Sequence, residues 1–233
     1  MGNNTIHSSV VMGNNVEVGN NIIIGKNVSI GNNVVIEDGV AIGDNTIIEN
    51  SVELGYSNLT RKKKYYKESS TNIGKDCILR SGCIIYHSSS IGNRSWIGNY
   101  TIIRENTIIG NDTTIGAHVM CEGYTTIGNG VQIYSFCELG GNQIIEDNVF
   151  IGPGTITSNN RKPVIGVPTN FRWNDGTQEV IDKGPTIKKG AKIGISATLL
   201  ADTIIGEDSL VSAGAVVTKD VAPFSTVKGI PAK

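Results

Sequence analysis

The chain is short of the residues that build ordinary cores and membrane spans. Aromatic side chains make up 6% of its 233 residues, so large rings do not fill the interior. No apolar run approaches the roughly 18 residues that cross a bilayer. The opening MGNNTIHSSV has neither the basic start nor the apolar stretch of a secretory leader, and Ile6 stands where a myristoylation signal requires Ser or Thr. Charge of one sign is missing too: 20 Lys and Arg against 21 Asp and Glu leave a formal net charge of −1, which gives nucleic acid or an anionic membrane no electrostatic reason to bind. The expectation is a cytoplasmic protein with neither among its partners. The four cysteines, Cys77, Cys83, Cys121 and Cys137, form no CxxC pair, which argues against a zinc site or a disulfide frame.

What is present is glycine, 29 residues of it, and a period of six. From Met12 an aliphatic residue returns at every sixth position, through Val18, Ile24, Ile30, Ile36, Ile42 and Ile48 to Leu54. The phase resumes from Ile73 to Ile151 and again from Ile187 to Val217, with Cys121 in place of an aliphatic. Neither the helical period of 3.6 nor strand alternation of 2 gives this spacing. Four positions after each aliphatic stands a small or β-branched residue, as at Val28, Thr107 and Ala197, and the aliphatic itself is often followed by Gly and then Asn or Asp. Two inward side chains per hexad fill a narrow core, while Gly and Asn accept a sharp turn between short strands. Such a unit cannot bury its apolar side alone, so units stack. Three hexads close one triangular coil, and the 28 in-phase positions imply nine to ten coils, a prism of roughly 45 Å at sheet spacing. The cysteines fall on inward positions and read as core packing. This pattern resembles the hexapeptide-repeat transferase superfamily over nearly the whole chain. The resemblance implies an all-β, left-handed parallel β-helix forming a single domain over residues 1–233.

Excursion loops near 56–71 and 158–186 interrupt the repeat. The first carries the run Arg61-Lys62-Lys63-Lys64-Tyr65-Tyr66-Lys67, which reads either as a solvated loop or as an anion clamp for a neighbouring subunit or a nucleotide-linked substrate. The second opens at Asn160 and Arg161 and holds Phe171, Arg172 and Trp173. Loops this long are uncommon without a task. Aromatics beside Arg suit stacking on a ring and pairing with phosphate, or else they pin the loop to the prism. These five residues are the substrate-binding candidates.

Two stretches sharpen the resemblance. EDNVFIGPGTITSNN, Glu146 to Asn160, is similar to a stretch of nucleotide-sugar N-acetyltransferases in which a GP-containing turn leads into an active-site Asn. It also looks like the acetyltransferase domain of the bifunctional glucosamine-1-phosphate enzyme. Both place the functional Asn at Asn159. GAVVTKDVAPFSTVKGIPAK, Gly214 to Lys233, resembles the CoA-binding end of the superfamily. That implies acetyl-CoA as cosubstrate and a homotrimer with three sites between subunits. Gly194, Ala197, Ala213 and Gly214 would let the thin pantetheine approach the backbone. Lys219, Lys228 or Lys233 either meets CoA phosphates or serves solubility.

Acetyl transfer needs a nucleophile, a route for its proton and donors for the thioester oxygen. A sugar hydroxyl needs a strong positioned base, whereas an amine attacks through its own lone pair. Of the three histidines, His7 lies about eight coils from Asn159, His87 four, and His118 a little over two, roughly 11 Å. The position of the bifunctional enzyme's catalytic His falls near Phe136, so that base is absent. Catalytic candidates are therefore Asn159, as an amide orienting acceptor or thioester, with Glu138 and His118 as bases. The balance favours N-acetylation of an amino sugar carried on a nucleotide, with O-acetylation of a sugar or small-molecule hydroxyl as the alternative. A non-catalytic β-helical spacer is a third reading. Zinc hydration chemistry, which γ-type carbonic anhydrases perform on this scaffold, needs three histidines; the one expected five residues after His118 is Gly123, and no metal is expected.

Overall fold

The computed structural model describes residues 3–57, 70–160 and 182–233. Apart from the four-residue strand Glu53–Tyr56 and the three-residue Ile84–Tyr86, every strand is two residues long. The strands line up in three parallel sheets of 10, 11 and 10. The first face runs from Thr5–Ile6 to Ile204–Ile205, the second from Val11–Met12 to Thr226–Val227, and the third from Glu17–Val18 to Val216–Val217. The chain visits the faces in turn, so each strand pairs with the one a full coil later. Partners are normally 18 residues apart, as in Val11 with Ser29. The architecture is a parallel β-helix of about eleven turns, and the edges between successive faces are here called first, second and third in chain order.

The six-residue pattern explains the core directly. In each strand pair the first side chain faces out and the second faces in: Ile23 is 55% exposed and Ile24 2%. The second inward position stands two residues earlier and is buried throughout, from Ile22 and Val28 to Ala197 and Ala215. All four cysteines are free and buried as expected, Cys77, Cys83 and Cys137 at this position and Cys121 in place of an aliphatic. Burial pushes the Cys83 and Cys121 thiols up to about 12, which removes them from thiolate chemistry.

Three expectations need correction. Nine to ten coils is too few, because Thr5–Ile6, Ile156–Thr157 and Thr226–Val227 are also strands. Thr157 was hidden by its polarity, and Val227 by a phase slip after Val217. The excursions are shorter than 56–71 and 158–186: Tyr56 pairs with Tyr86, Thr71 is buried, and Pro185 already accepts the Ile144 N–H through its carbonyl at 3.3 Å. The glycine that follows the aliphatic also has a different task. The left-handed residue of each turn is the third after the aliphatic, as at Asn15, Asn33 and Asp112. The glycine permits close approach between coils: a Cβ on Gly98 would sit 2.4 Å from the Gly116 carbonyl carbon. Arg61–Lys67, Arg161, Phe171, Arg172 and Trp173 lie outside the described residues.

Candidate active site

Both excursions leave from the third edge. One departs after Tyr56 and returns to the first face at Asn72, and the other departs after Thr157 and returns at Thr186. Between them the third edge abandons the Gly-Asn pattern. Successive coils place there Tyr86-His87, Arg104-Glu105, Glu122-Gly123, Gly140-Gly141 and Ser158-Asn159. The first edge keeps the pattern: the N–H groups of Lys75, Asn93, Asn111 and Asn129 donate to the side-chain Oδ1 of Asn93, Asn111, Asn129 and Asp147, one coil on.

The third-edge side chains interlock. Arg104 donates two hydrogen bonds to the Glu105 carboxylate, at 2.9 and 3.2 Å, and Glu105 is 2% exposed. The same guanidinium lies 3.9 Å from Glu122 Oε1. Burial pulls the Arg104 pKa down, but the carboxylates of Glu105 and Glu122 outweigh it and hold it above the usual range. Glu122 is half-buried, and burial pushes its carboxyl above the ordinary 4.5; Arg104 lowers it, Glu138 and Glu105 raise it, and the Gly141 N–H lowers it. Sequence reasoning missed Glu122. The signal was its place directly after the inward Cys121, where the repeat normally has Gly.

Asn159 stands beside this group. A Cβ built on Gly141 would be 3.5 Å from Asn159 Nδ2 and 3.6 Å from Glu122 Cβ, so the two side chains flank that glycine. The backbone below is modified: the Gly140 N–H donates to Thr157 Oγ1 at 2.8 Å, and that hydroxyl donates to buried Gln143 Oε1 at 3.2 Å. Gln143 Nε2 is buried and has no hydrogen-bond partner among the described residues. Asn142 Nδ2 donates to the Asp182 carbonyl at 3.0 Å, tying the return of the second excursion to this edge. Asn160 is half-buried where that excursion departs.

Glu138 is exposed on the third face in Glu138–Leu139, one coil beyond Met120, and its charge reaches Glu122. His118 is not brought to Asn159. It occupies a left-handed turn on the second edge, exposed and stacked between Tyr100 and Phe136 at 5.3 and 5.2 Å. Gly194, Ala213 and Gly214 lie on that same second edge, farther along the prism. Ala197 does not face outward; its side chain is fully buried. Lys219 is exposed on the third edge and Lys228 on the second. Among the described residues no three His, Cys, Asp or Glu side chains converge as metal ligands, and no helix is long and apolar enough to cross a membrane.

The family model for the bacterial transferase hexapeptide (six repeats) matches residues 21–55, 88–123 and 184–219. Those three stretches of the chain are bacterial transferase hexapeptide repeats. It is 32% identical over 159 residues to the bifunctional protein GlmU of Thermotoga petrophila, covering 68% of this chain and 26% of that one. The chain thus spans about a quarter of the length of the bifunctional relatives it matches. It is 35% identical over 107 residues to a serine acetyltransferase of Bacillus subtilis, 46% of this chain and 39% of that one. Over 47 residues it is 45% identical to the dTDP-3-amino-3,6-dideoxy-alpha-D-galactopyranose 3-N-acetyltransferase of Aneurinibacillus thermoaerophilus, 20% of this chain and 24% of that one. Among solved structures, the UDP-N-acetylglucosamine acyltransferase of Campylobacter jejuni superposes with a TM-score of 0.51 at 14% identity, over 98% of this chain and 73% of that one. That last likeness is one of fold.

Proposed function

We propose that this hexapeptide-repeat protein is an acetyl-CoA-dependent acetyltransferase that N-acetylates an amino sugar carried on a nucleotide, in the assembly of a surface polysaccharide or glycan, and that it works as a cytoplasmic homotrimer. The observation that carries the reading is the third edge: Asn159 and a half-buried Glu122 flank Gly141, where the second excursion departs. An amino sugar enters as an ammonium and must lose one proton before it attacks. The Glu122 carboxylate takes that proton, and its raised pKa brings it closer to the working pH, where a base is most effective. The freed lone pair attacks the thioester carbonyl carbon. A C–N bond forms and the C–S bond breaks; the departing thiolate takes the proton that Glu122 stored, and the second proton left on the nitrogen of the adduct passes through the freed carboxylate to solvent. The Asn159 amide donates to the carbonyl oxygen as negative charge develops on it. An ammonium is far more acidic than a sugar hydroxyl and is the easier group for a carboxylate to deprotonate.

The same geometry supports a site shared between neighbouring copies, as a trimer would provide. Gly194, Ala213 and Gly214, expected to receive acetyl-CoA, lie on the second edge, and Asn159 lies on the third. Reacting atoms must come within about 3–3.5 Å, so a site built from both edges needs two neighbouring prisms. O-acetylation is the second reading, favoured by His118: an imidazole is the base a hydroxyl needs, and this one is exposed on the edge that would hold the thioester. Incubation with acetyl-CoA and a panel of nucleotide-linked 3- and 4-amino sugars, read by mass spectrometry, tests the choice. An acetyl mass gain on amines is expected. A gain only on hydroxyl acceptors moves the reading to O-acetylation, and a gain on neither class removes it.

A further inference from the structure

The second edge carries a feature that the transfer chemistry does not use. Its left-handed turn position is held in successive coils by Gly82, Tyr100, His118, Phe136, Gly154, Ser196 and Gly214. Elsewhere that position is filled chiefly by Asn, Asp, Ser or Gly, because a positive φ disfavours bulky side chains. Three consecutive rings at φ 56, 55 and 62 are therefore maintained against local preference, and such outliers point to use. The rings form one column: Tyr100 and His118 are 23° from parallel, and His118 and Phe136 are 3° apart.

Side chains in this column lean toward the preceding coil. A Cβ on Gly82 would lie 2.5 Å from Tyr100 Cδ1, so the Tyr100 ring rests over Gly82. His118 covers Tyr100 in turn, and Phe136 covers His118. Above Phe136 the next rung is Gly154, which has no side chain to continue the stack. The nearest atom to a Cβ built there is Ser196 Oγ at 3.2 Å, from the coil beyond. Phe136 is accordingly 66% exposed. Beside it Tyr134, 49% exposed, meets Phe150 at 5.3 Å, and Ile195 is 54% exposed. Lys192 pairs with Phe150 one coil on. It is exposed, and no salt bridge to it occurs among the described residues.

We propose that the missing rung over Gly154 is a nucleobase site, in which a purine or pyrimidine stacks on the open face of Phe136 and its phosphates reach Lys192. The three-ring stack ends at Phe136, and the next residue with a side chain in the column is Ser196, so the gap at Gly154 admits a single planar group. A cation on the adjoining face, one coil beyond Phe150, fits a nucleotide better than an apolar side chain. The identity of the ring rests on the proposed function, since both cosubstrates carry a nucleobase: adenine in CoA and the base of the nucleotide-linked sugar. The site itself is defined by stacking and is read out without any transfer step.

The experiment is isothermal titration of the full chain with acetyl-CoA, ADP, UDP and dTDP, for wild type, Phe136→Asn and Gly154→Asn. The first variant removes the platform and the second fills the slot. Asn already holds this conformation at Asn106, Asn142 and Asn148, so both variants fold, with melting temperature as the control. Loss of one base stack weakens binding roughly ten- to a hundredfold. Weakening confined to acetyl-CoA and ADP assigns the slot to adenine; weakening confined to UDP or dTDP assigns it to the acceptor's base. Unchanged affinities in both variants, with wild type binding acetyl-CoA, overturn the slot and leave the proposed function standing. Wild type binding none of the four probes overturns both. Unchanged affinities with a loss of oligomer in the variants would give the slot to a second copy of the chain, which also overturns the proposal.

Discussion

Along the first edge, Asn93, Asn111, Asn129 and Asp147 occupy four successive coils, and each closes on a backbone N–H of the coil before it. Along the third edge the same rungs hold His87, Glu105, Gly123, Gly141 and Asn159. Both edges follow the same inward residues, so the core does not distinguish them. The difference lies in where polar groups are satisfied. On the first edge side chains serve the backbone and little is left for a ligand. On the third edge Arg104, Glu105 and Glu122 bind each other, and Asn159 sits across a glycine from Glu122. A repeat can hold its shape with two edges and give the third to chemistry.

Substitutions that treat equivalent glycines alike should break the comparison most strongly. A Cβ on Gly110 would lie 2.6 Å from the Gly128 carbonyl carbon and oxygen, whereas one on Gly140, the same hexad position on the third edge, meets nothing closer than the Thr157 oxygen at 3.0 Å. Gly110→Ala should therefore cost about 3 kcal/mol in urea unfolding, at the upper end of overpacking penalties, and Gly140→Ala about 1 kcal/mol. Equal losses at the two sites would show that the edges are packed alike. Next in size, Asn159→Ala should lower kcat with an amino-sugar nucleotide tenfold or more, in the range of a lost oxyanion donor, at unchanged melting temperature. Full turnover in that variant would move the site off this edge. Asp147→Ala should do the reverse. It leaves the Asn129 N–H without its acceptor and costs about 1 kcal/mol of stability, with kcat untouched. A fall in kcat there would mean that the first edge also serves the reaction.

The period of six made the architecture legible, because Ile24, Ile97, Ile151 and their equivalents all face one axis and no other fold keeps that phase. It failed where a strand lacks an aliphatic, as at Thr157, and where the phase slips beyond Val217. The glycines were legible as necessary but not in their role, since sequence spacing does not separate a left-handed turn from two backbones in contact. Asn159 was found through a local motif, and the fold places it beside a charged group. Glu122 was missed because its importance depends on Arg104, one coil away, and on Asn159, 37 residues on, which only coiling brings together. His118 looked near Asn159 when coils were counted along the axis. Counting along the axis says nothing about which edge a residue occupies.

The most direct test is the pH dependence of kcat for wild type and Glu122→Gln with an amine acceptor. Burial raises the Glu122 carboxyl above 4.5, so the folded state holds its proton more tightly than the unfolded one. As pH rises through that window the protein loses stability at this residue and gains a base. Wild-type kcat should therefore fall on the acid side, with a limb lying above pH 4.5. Glu122→Gln should lose that limb along with most of its turnover, while still binding acetyl-CoA. An acid limb of the same position and slope in the variant, with turnover intact, would contradict the assignment of the third edge as the reacting site.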